Sequence, residues 1–149
     1  MLPALWRPCV LLFALVFLTG TACNSNPQFV EVSGVVKLNG KPMPEALVEF
    51  LPDPAQGTHG PRASGTTDGE GRFRLARDDE QDGAVVGFHR VLIQDARTFP
   101  PARNRWSGGK LPVMPPSRIS ARYANASDTP LRQEVKTGQP TIILEITGK

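Results

Sequence analysis

Cysteine is nearly absent from this chain, with Cys9 and Cys23 the only two in 149 residues. Histidine is as scarce, since His59 falls in a Thr-His-Gly-Pro loop and His89 in a strand pattern. Neither the multi-cysteine frame of a disulfide-stapled scaffold nor the four-ligand set of a zinc centre can be built from them. Long apolar runs are lacking too. The longest block, Val10 to Leu18, is nine residues, whereas a helix needs about 20 to cross a bilayer core. Proline and glycine, by contrast, are plentiful at 15 and 14. Proline removes a backbone donor and glycine favours turn conformations, so long helices are excluded and many turns are expected.

The apolar block belongs to a three-part leader. Arg7 supplies a positive charge, Val10 to Leu18 the apolar centre, and Thr19 to Ala22 a small-residue stretch, which is the layout of a secretory signal peptide over 1–22. Gly20-Thr21-Ala22-Cys23 resembles a bacterial lipobox, with Gly20 where that motif usually carries a larger aliphatic residue. The resemblance implies a lipid on Cys23, which would become the first residue of the mature chain. Gly20 and Ala22 also satisfy the small-x-small rule of an ordinary signal peptidase, so plain secretion stays open. Removal of the leader takes Cys9 with it. Cys23 is then a lone cysteine in a compartment where thiols are normally paired or modified.

Residues 23–149 suit one domain, with 23–28 as a tether and 29–149 as the folded body. Alternation marks its strands. Val30, Val32, Val36 and Leu38 share a face, and Asn39-Gly40 follows as a hairpin signal. Ala46, Val48 and Phe50 line the next strand, which Pro52-Asp53-Pro54 ends. A strand at 63–67 is expected to meet Arg72 to Leu75 across Asp68-Gly-Glu-Gly71, with Phe73 and Leu75 facing inward. Val85 to Ile93 is the longest candidate, and 131–136 with 141–147 is expected to close the domain as a terminal pair. Seven short strands predict an all-β fold of two sheets packed face to face.

Val32-Ser-Gly-Val-Val-Lys-Leu-Asn-Gly-Lys-Pro42, Ala46-Leu-Val-Glu-Phe50 and Thr67-Asp-Gly-Glu-Gly-Arg-Phe-Arg-Leu75 occur in that order. They resemble the carboxypeptidase regulatory-like, transthyretin-like β-sandwich. Gly87-Phe-His-Arg-Val-Leu-Ile93, Ile119 to Asn125 and Val135-Lys-Thr-Gly138 are similar to small lipoproteins of this type from planctomycete-like bacteria. The resemblance implies a seven-stranded Ig-like or transthyretin-like (prealbumin-like) sandwich acting as a non-catalytic module without a cofactor.

Three short motifs invite a catalytic reading. Ser107-x-x-Lys110, Tyr123-x-Asn125 and Lys136-Thr-Gly138 spell the elements of penicillin-recognising enzymes. All three fall within 32 residues, far closer than in those larger domains. Gly108 and Gly109 also each cost about 1 kcal/mol in the helix that the serine and lysine require. No catalytic residue is assigned. Asp68-Gly-Glu-Gly71 lacks the further oxygen ligands of a calcium loop and is expected to be a turn, and no metal site is assigned. The acidic run Asp78 to Asp82 is expected to form a solvated turn.

Charge is unevenly spread. Residues 84–127 hold seven basic residues against the single acid Asp95. Within them, the stretch 95–117 carries Arg97, Arg103, Arg105 and Lys110 around Trp106, between proline-rich ends. It exceeds the usual 12 to 15 residues of a structureless connection, which marks it as a functional insertion or a disordered segment, exposed either way. These five residues form the candidate binding set: Trp106 to stack on a ring or apolar group, the cations to hold phosphate or carboxylate. The alternative is a solvated loop with Trp106 folded back on the sandwich.

The expected function is an exported lipoprotein, held to the membrane by a lipid on Cys23, that serves the cell envelope as a non-catalytic binding or scaffold module. Its expected partners are the membrane and an envelope protein or anionic polymer, with nucleic acid excluded by export. The competing class is a secreted or periplasmic small-molecule hydrolase of the transthyretin-like fold, whose terminal motif has no counterpart in Glu145-Ile-Thr-Gly-Lys149.

Overall fold

The computed structural model of the chain describes residues 27–100, 113–139 and 141–149. They form an all-β body in which two principal sheets stack about a shared apolar core. The strands are β1 (Phe29–Val30), β2 (Ser33–Leu38), β3 (Lys41–Pro42), β4 (Ala46–Pro52), β5 (Ala63–Thr66) and β6 (Arg72–Arg74). They continue with β7 (Ala76–Arg77), β8 (Ala84–Val85), β9 (Gly87–Asp95), β10 (Arg132–Val135) and β11 (Ile142–Ile146). The larger sheet has the order β10-β9-β4-β5-β7. In the smaller one β2 lies beside β11 on one flank and pairs with β3 and β6 on the other, while β1 and β8 form a separate pair.

Period-two patterning explains the faces. Ala46, Val48 and Phe50 of β4 point inward with Val91 and Ile93 of β9, and all five are fully buried. Val36 of β2 and Leu144 of β11 meet them from the other sheet, and Phe50 and Phe73 bring their ring centres within 6.3 Å. Each fully buried aliphatic or aromatic side chain contributes about 1.5–3 kcal/mol. The Asn39-Gly40 hairpin forms as expected, with φ of 50° and 79°. Positive φ at both central residues gives the primed turn whose twist matches its strands.

Each of the seven expected runs contains strand, yet eleven segments are present among the described residues because several runs switch partners midway. The expected hairpin between 63–67 and 72–75 does not form as such. Its turn closes, with the Asp68 N–H donating to Arg72 O, but β6 then pairs with β2 of the opposite sheet, and only β7 returns to β5. Two glycines permit that crossing. A Cβ on Gly65 would lie 2.1 Å from the Arg74 carbonyl oxygen, and one on Gly34 would lie 2.4 Å from the Phe73 ring.

The expected terminal pair is also corrected. β10 runs antiparallel to β9 in the larger sheet, whereas β11 runs parallel to β2 in the smaller. The turn at Lys136–Gln139, with Gly138 at φ 68°, carries the chain between layers. Val135 and the Ile142, Leu144, Ile146 face are thereby buried from opposite sides of one core.

Candidate functional site

The stretch expected to carry the site begins where β9 ends. Asp95 is the last residue of β9 and sits opposite Ala46 of β4, so the ladder fixes its position. It then caps a short 3-10 turn, Ala96–Thr98: its Oδ1 accepts from the Arg97 N–H, and the Thr98 hydroxyl donates 2.8 Å to its carbonyl. The Ala96 N–H donates to Glu45 O, which locks the turn to the bend ahead of β4.

Around the Asp95 carboxylate, two arginines converge from opposite ends of the connection. Arg97 donates from Nε and Nη2 at 3.1 and 3.0 Å. Arg118 donates from its backbone N–H at 3.0 Å, from Nε at 2.9 Å and from Nη2 at 2.8 Å. Arg118 Nη2 also reaches the Pro44 carbonyl at 2.7 Å, tying the clasp to the sharp bend where Glu45 takes φ 55°. The Asp95 side chain is wholly buried. Burial alone would raise its pKa, but the hydrogen bonds from Arg118 and Arg97 outweigh it and hold the carboxyl well below the usual carboxylate range. Its bond to Asp95 raises the pKa of Arg97 in turn.

Arg97 is the one member of the expected binding set among the described residues. Its guanidinium bonds to Asp95 as one half of the clasp, and its side chain stays 31% exposed. The remaining members of the expected set, Arg103, Arg105, Trp106 and Lys110, lie outside the described residues, as does Cys23. Asp95 and Arg118 were missed in the sequence reading. The signal that could have found them is charge: one acid among seven bases invites a shared partner.

A second carboxylate is used in the same manner. Asp53, 5% exposed, accepts from Nε and Nη2 of Arg90, both at 3.2 Å, and caps the 3-10 turn Pro54–Gln56. Its bond to Arg90 is the largest cause of a lowered pKa. Asp68 serves its own turn, its Oδ1 accepting from the Glu70 and Arg72 N–H groups and its Oδ2 from Arg72 Nε. The acidic run forms a turn wrapped on Arg77, whose guanidinium lies 4.0 Å over the Phe29 ring. His89 is buried against Phe50, its ring 5.7 Å away, with Nδ1 3.0 Å from Gly87 O. Among the described residues Nε2 has no partner, and burial lowers the pKa of this side chain.

The motif residues that suggested an acyl-transfer centre are engaged locally. The Tyr123 hydroxyl bonds to Thr147 and Arg122, while Lys136 pairs with Glu134. Ser107 lies outside the described residues. Two concavities stand out among the described residues. An open groove of about 530 Å³ runs between Pro27, Gln28, the Thr58-His59 turn and Val85-Val86. A smaller hollow of about 190 Å³ lies beside the clasp, and its Asp95, Thr98 and Ser117 side chains are already bonded within the protein. Among the described residues no three His, Cys, Asp or Glu side chains are placed to hold a metal ion, and no helix is long and apolar enough to cross a membrane. In comparisons with family models, curated proteins and solved structures, nothing matches this chain.

Proposed function

We propose that this chain is an exported lipoprotein, acylated on Cys23, whose sandwich serves as a non-catalytic binding or scaffold module in the cell envelope. The sandwich is of the Ig-like, transthyretin-like type found in carboxypeptidase regulatory-like domains. The observation that carries the proposal is the spacing between Cys23, at the end of a leader-like stretch, and β1. Only residues 24–28 intervene. Fully extended, they hold the body within roughly 20 Å of a bilayer surface, at about 3.3–3.6 Å per residue. A module so short-tethered meets other envelope components at close range.

The clasp supports the second part of the reading. Arg97 and Arg118 bring both ends of the basic stretch to one buried carboxylate, so Arg103, Arg105, Trp106 and Lys110 belong to a segment whose base is fixed by the sandwich. An anionic envelope polymer, or an acidic face on an envelope protein, fits three cations around an indole.

Intact-mass measurement of the processed protein tests the anchor: acyl chains on an N-terminal Cys23 are expected, and a free cysteine there would remove the membrane from the proposal. Recovery of partners from solubilised envelopes tests the stretch. Replacing Arg103, Arg105 and Trp106 with alanine is expected to lower recovery, and equal recovery would take those residues out of the binding role.

A further inference from the structure

The edges of the two sheets differ in how they are guarded. An edge strand presents unpaired N–H and C=O groups to any chain that can add to it, and native sheets blunt such edges by shortness, proline or charge. β3 is the dipeptide Lys41–Pro42, and β6 beside it carries Arg72 and Arg74. β7 is two residues long, and β10 bears Arg132 and Glu134 with Lys136 following. β11 is longer and carries a single charge, Glu145, and the Ile119–Gly148 bridge covers this edge only beyond the strand's end. The strand runs five residues, Ile-Ile-Leu-Glu-Ile, and among the described residues it pairs with β2 alone.

Its open side can be assigned from one hydrogen bond. The Ile146 carbonyl accepts from the Asn39 N–H at the end of β2, so Ile142, Leu144 and Ile146 direct their backbone groups toward β2. By the alternation of a strand, Ile143 and Glu145 direct theirs away from it. Among the described residues neither finds a backbone or side-chain partner there, while the next outward group, the Thr147 N–H, is taken by the Tyr123 hydroxyl at 3.3 Å. The Ile143 side chain is 58% exposed and stands beside Val35 on the outer face.

We propose that two copies of this chain associate through β11, antiparallel about a two-fold axis at Ile143, so that their smaller sheets become one continuous sheet. Register selects that axis. Centred on Ile143, the outward groups of 141, 143 and 145 form the hydrogen-bonded pairs, and the two Ile143 side chains lie opposite each other in an apolar row continued by Val35 of each copy. An axis at Leu144 sets Ile143 against Glu145 and requires the Thr147 N–H that Tyr123 already holds. An axis at Glu145 sets two carboxylates face to face, which is repulsive. The pairing is isologous, as a closed dimer requires, and it does not depend on the lipid at Cys23.

Sedimentation of the full chain in detergent, with amide hydrogen exchange read at Ile143 and Glu145, tests it. The wild type is expected to dimerise with concentration, and the two amides to exchange on the order of 100-fold more slowly in the dimer than in the monomer. Ile143→Lys is expected to remain monomeric with unchanged circular dichroism and thermal midpoint, whereas Ile143→Val keeps the dimer. A chain that stays monomeric throughout the micromolar range would overturn the proposal. So would a dimer whose Ile143 and Glu145 amides stay fast, or one that survives Ile143→Lys. Protection that appears only with another protein present would assign the edge to a different occupant and reject self-pairing.

Discussion

Asp95 shows how one residue can anchor its neighbours. It is the single acid in a basic third of the chain, and its burial beneath Arg97 and Arg118 ties both cations to the end of β9. Asp95→Ala leaves Arg97 and Arg118 without their charged acceptor but with access to solvent, so it is expected to cost about 1.5–3 kcal/mol in urea unfolding at neutral pH. A loss below about 1 kcal/mol, the range of exposed ion pairs, would show that the clasp is not needed for the fold. The pH dependence carries a definite sign. The folded-state pKa of Asp95 lies below its unfolded value, so its contribution is complete above about pH 3.9 and is lost as pH falls through the folded value.

His89 acts earlier in the same direction, for a different reason. Burial lowers its pKa, so the folded protein holds it neutral while the unfolded chain takes up a proton below about pH 6.5. Thermal midpoints are therefore expected to fall as pH drops from 7 toward 5, and His89→Leu to flatten that decline. A slope unaffected by the substitution would point to other groups.

At the scale of elements, alternation revealed which side of each strand faces inward but not which strand lies next to it. Ala46, Val48 and Phe50, and likewise Phe73 and Leu75, were legible as core because period two needs no knowledge of partners. The β5–β6 hairpin was misread because sequence neighbours across a good turn usually pair, and the crossing to β2 depends on close approach at Gly65 and Gly34. Gly65→Ala is expected to be the more damaging of the two, since its Cβ would lie 2.1 Å from the Arg74 carbonyl oxygen, whereas one on Gly34 would meet the movable Phe73 ring at 2.4 Å and the Ile142 carbonyl oxygen at 2.6 Å. Overpacking of this kind costs about 1–3 kcal/mol or more. Urea midpoints of the two variants check this, and equal losses would deny the crossing its dependence on Gly65. At Asn39-Gly40, turn chemistry is local, and the expectation held in detail.

The whole molecule depends on two sheets sharing one core, in which Phe50 touches Phe73 and His89 and is fully buried. Phe50→Ala is expected to lose about 3–5 kcal/mol. Exchange protection in β2 and in β9 should decline together, as one cooperative unit. If one sheet kept its protection while the other lost it, the layers would be separable.

What the amino-acid order determined by itself is the class of structure and its inward faces: prolines and glycines exclude long helices, and period-two patterning is a property of adjacent residues. The candidate cations were legible for the same reason, as a local excess of charge. Tertiary structure alone decided that β11 lies parallel to β2, that the terminal strands part into opposite layers, and that Arg97 serves Asp95. Those outcomes are contacts between residues distant in the chain, and hydrophobic alternation is satisfied equally well by any neighbour that covers the same face.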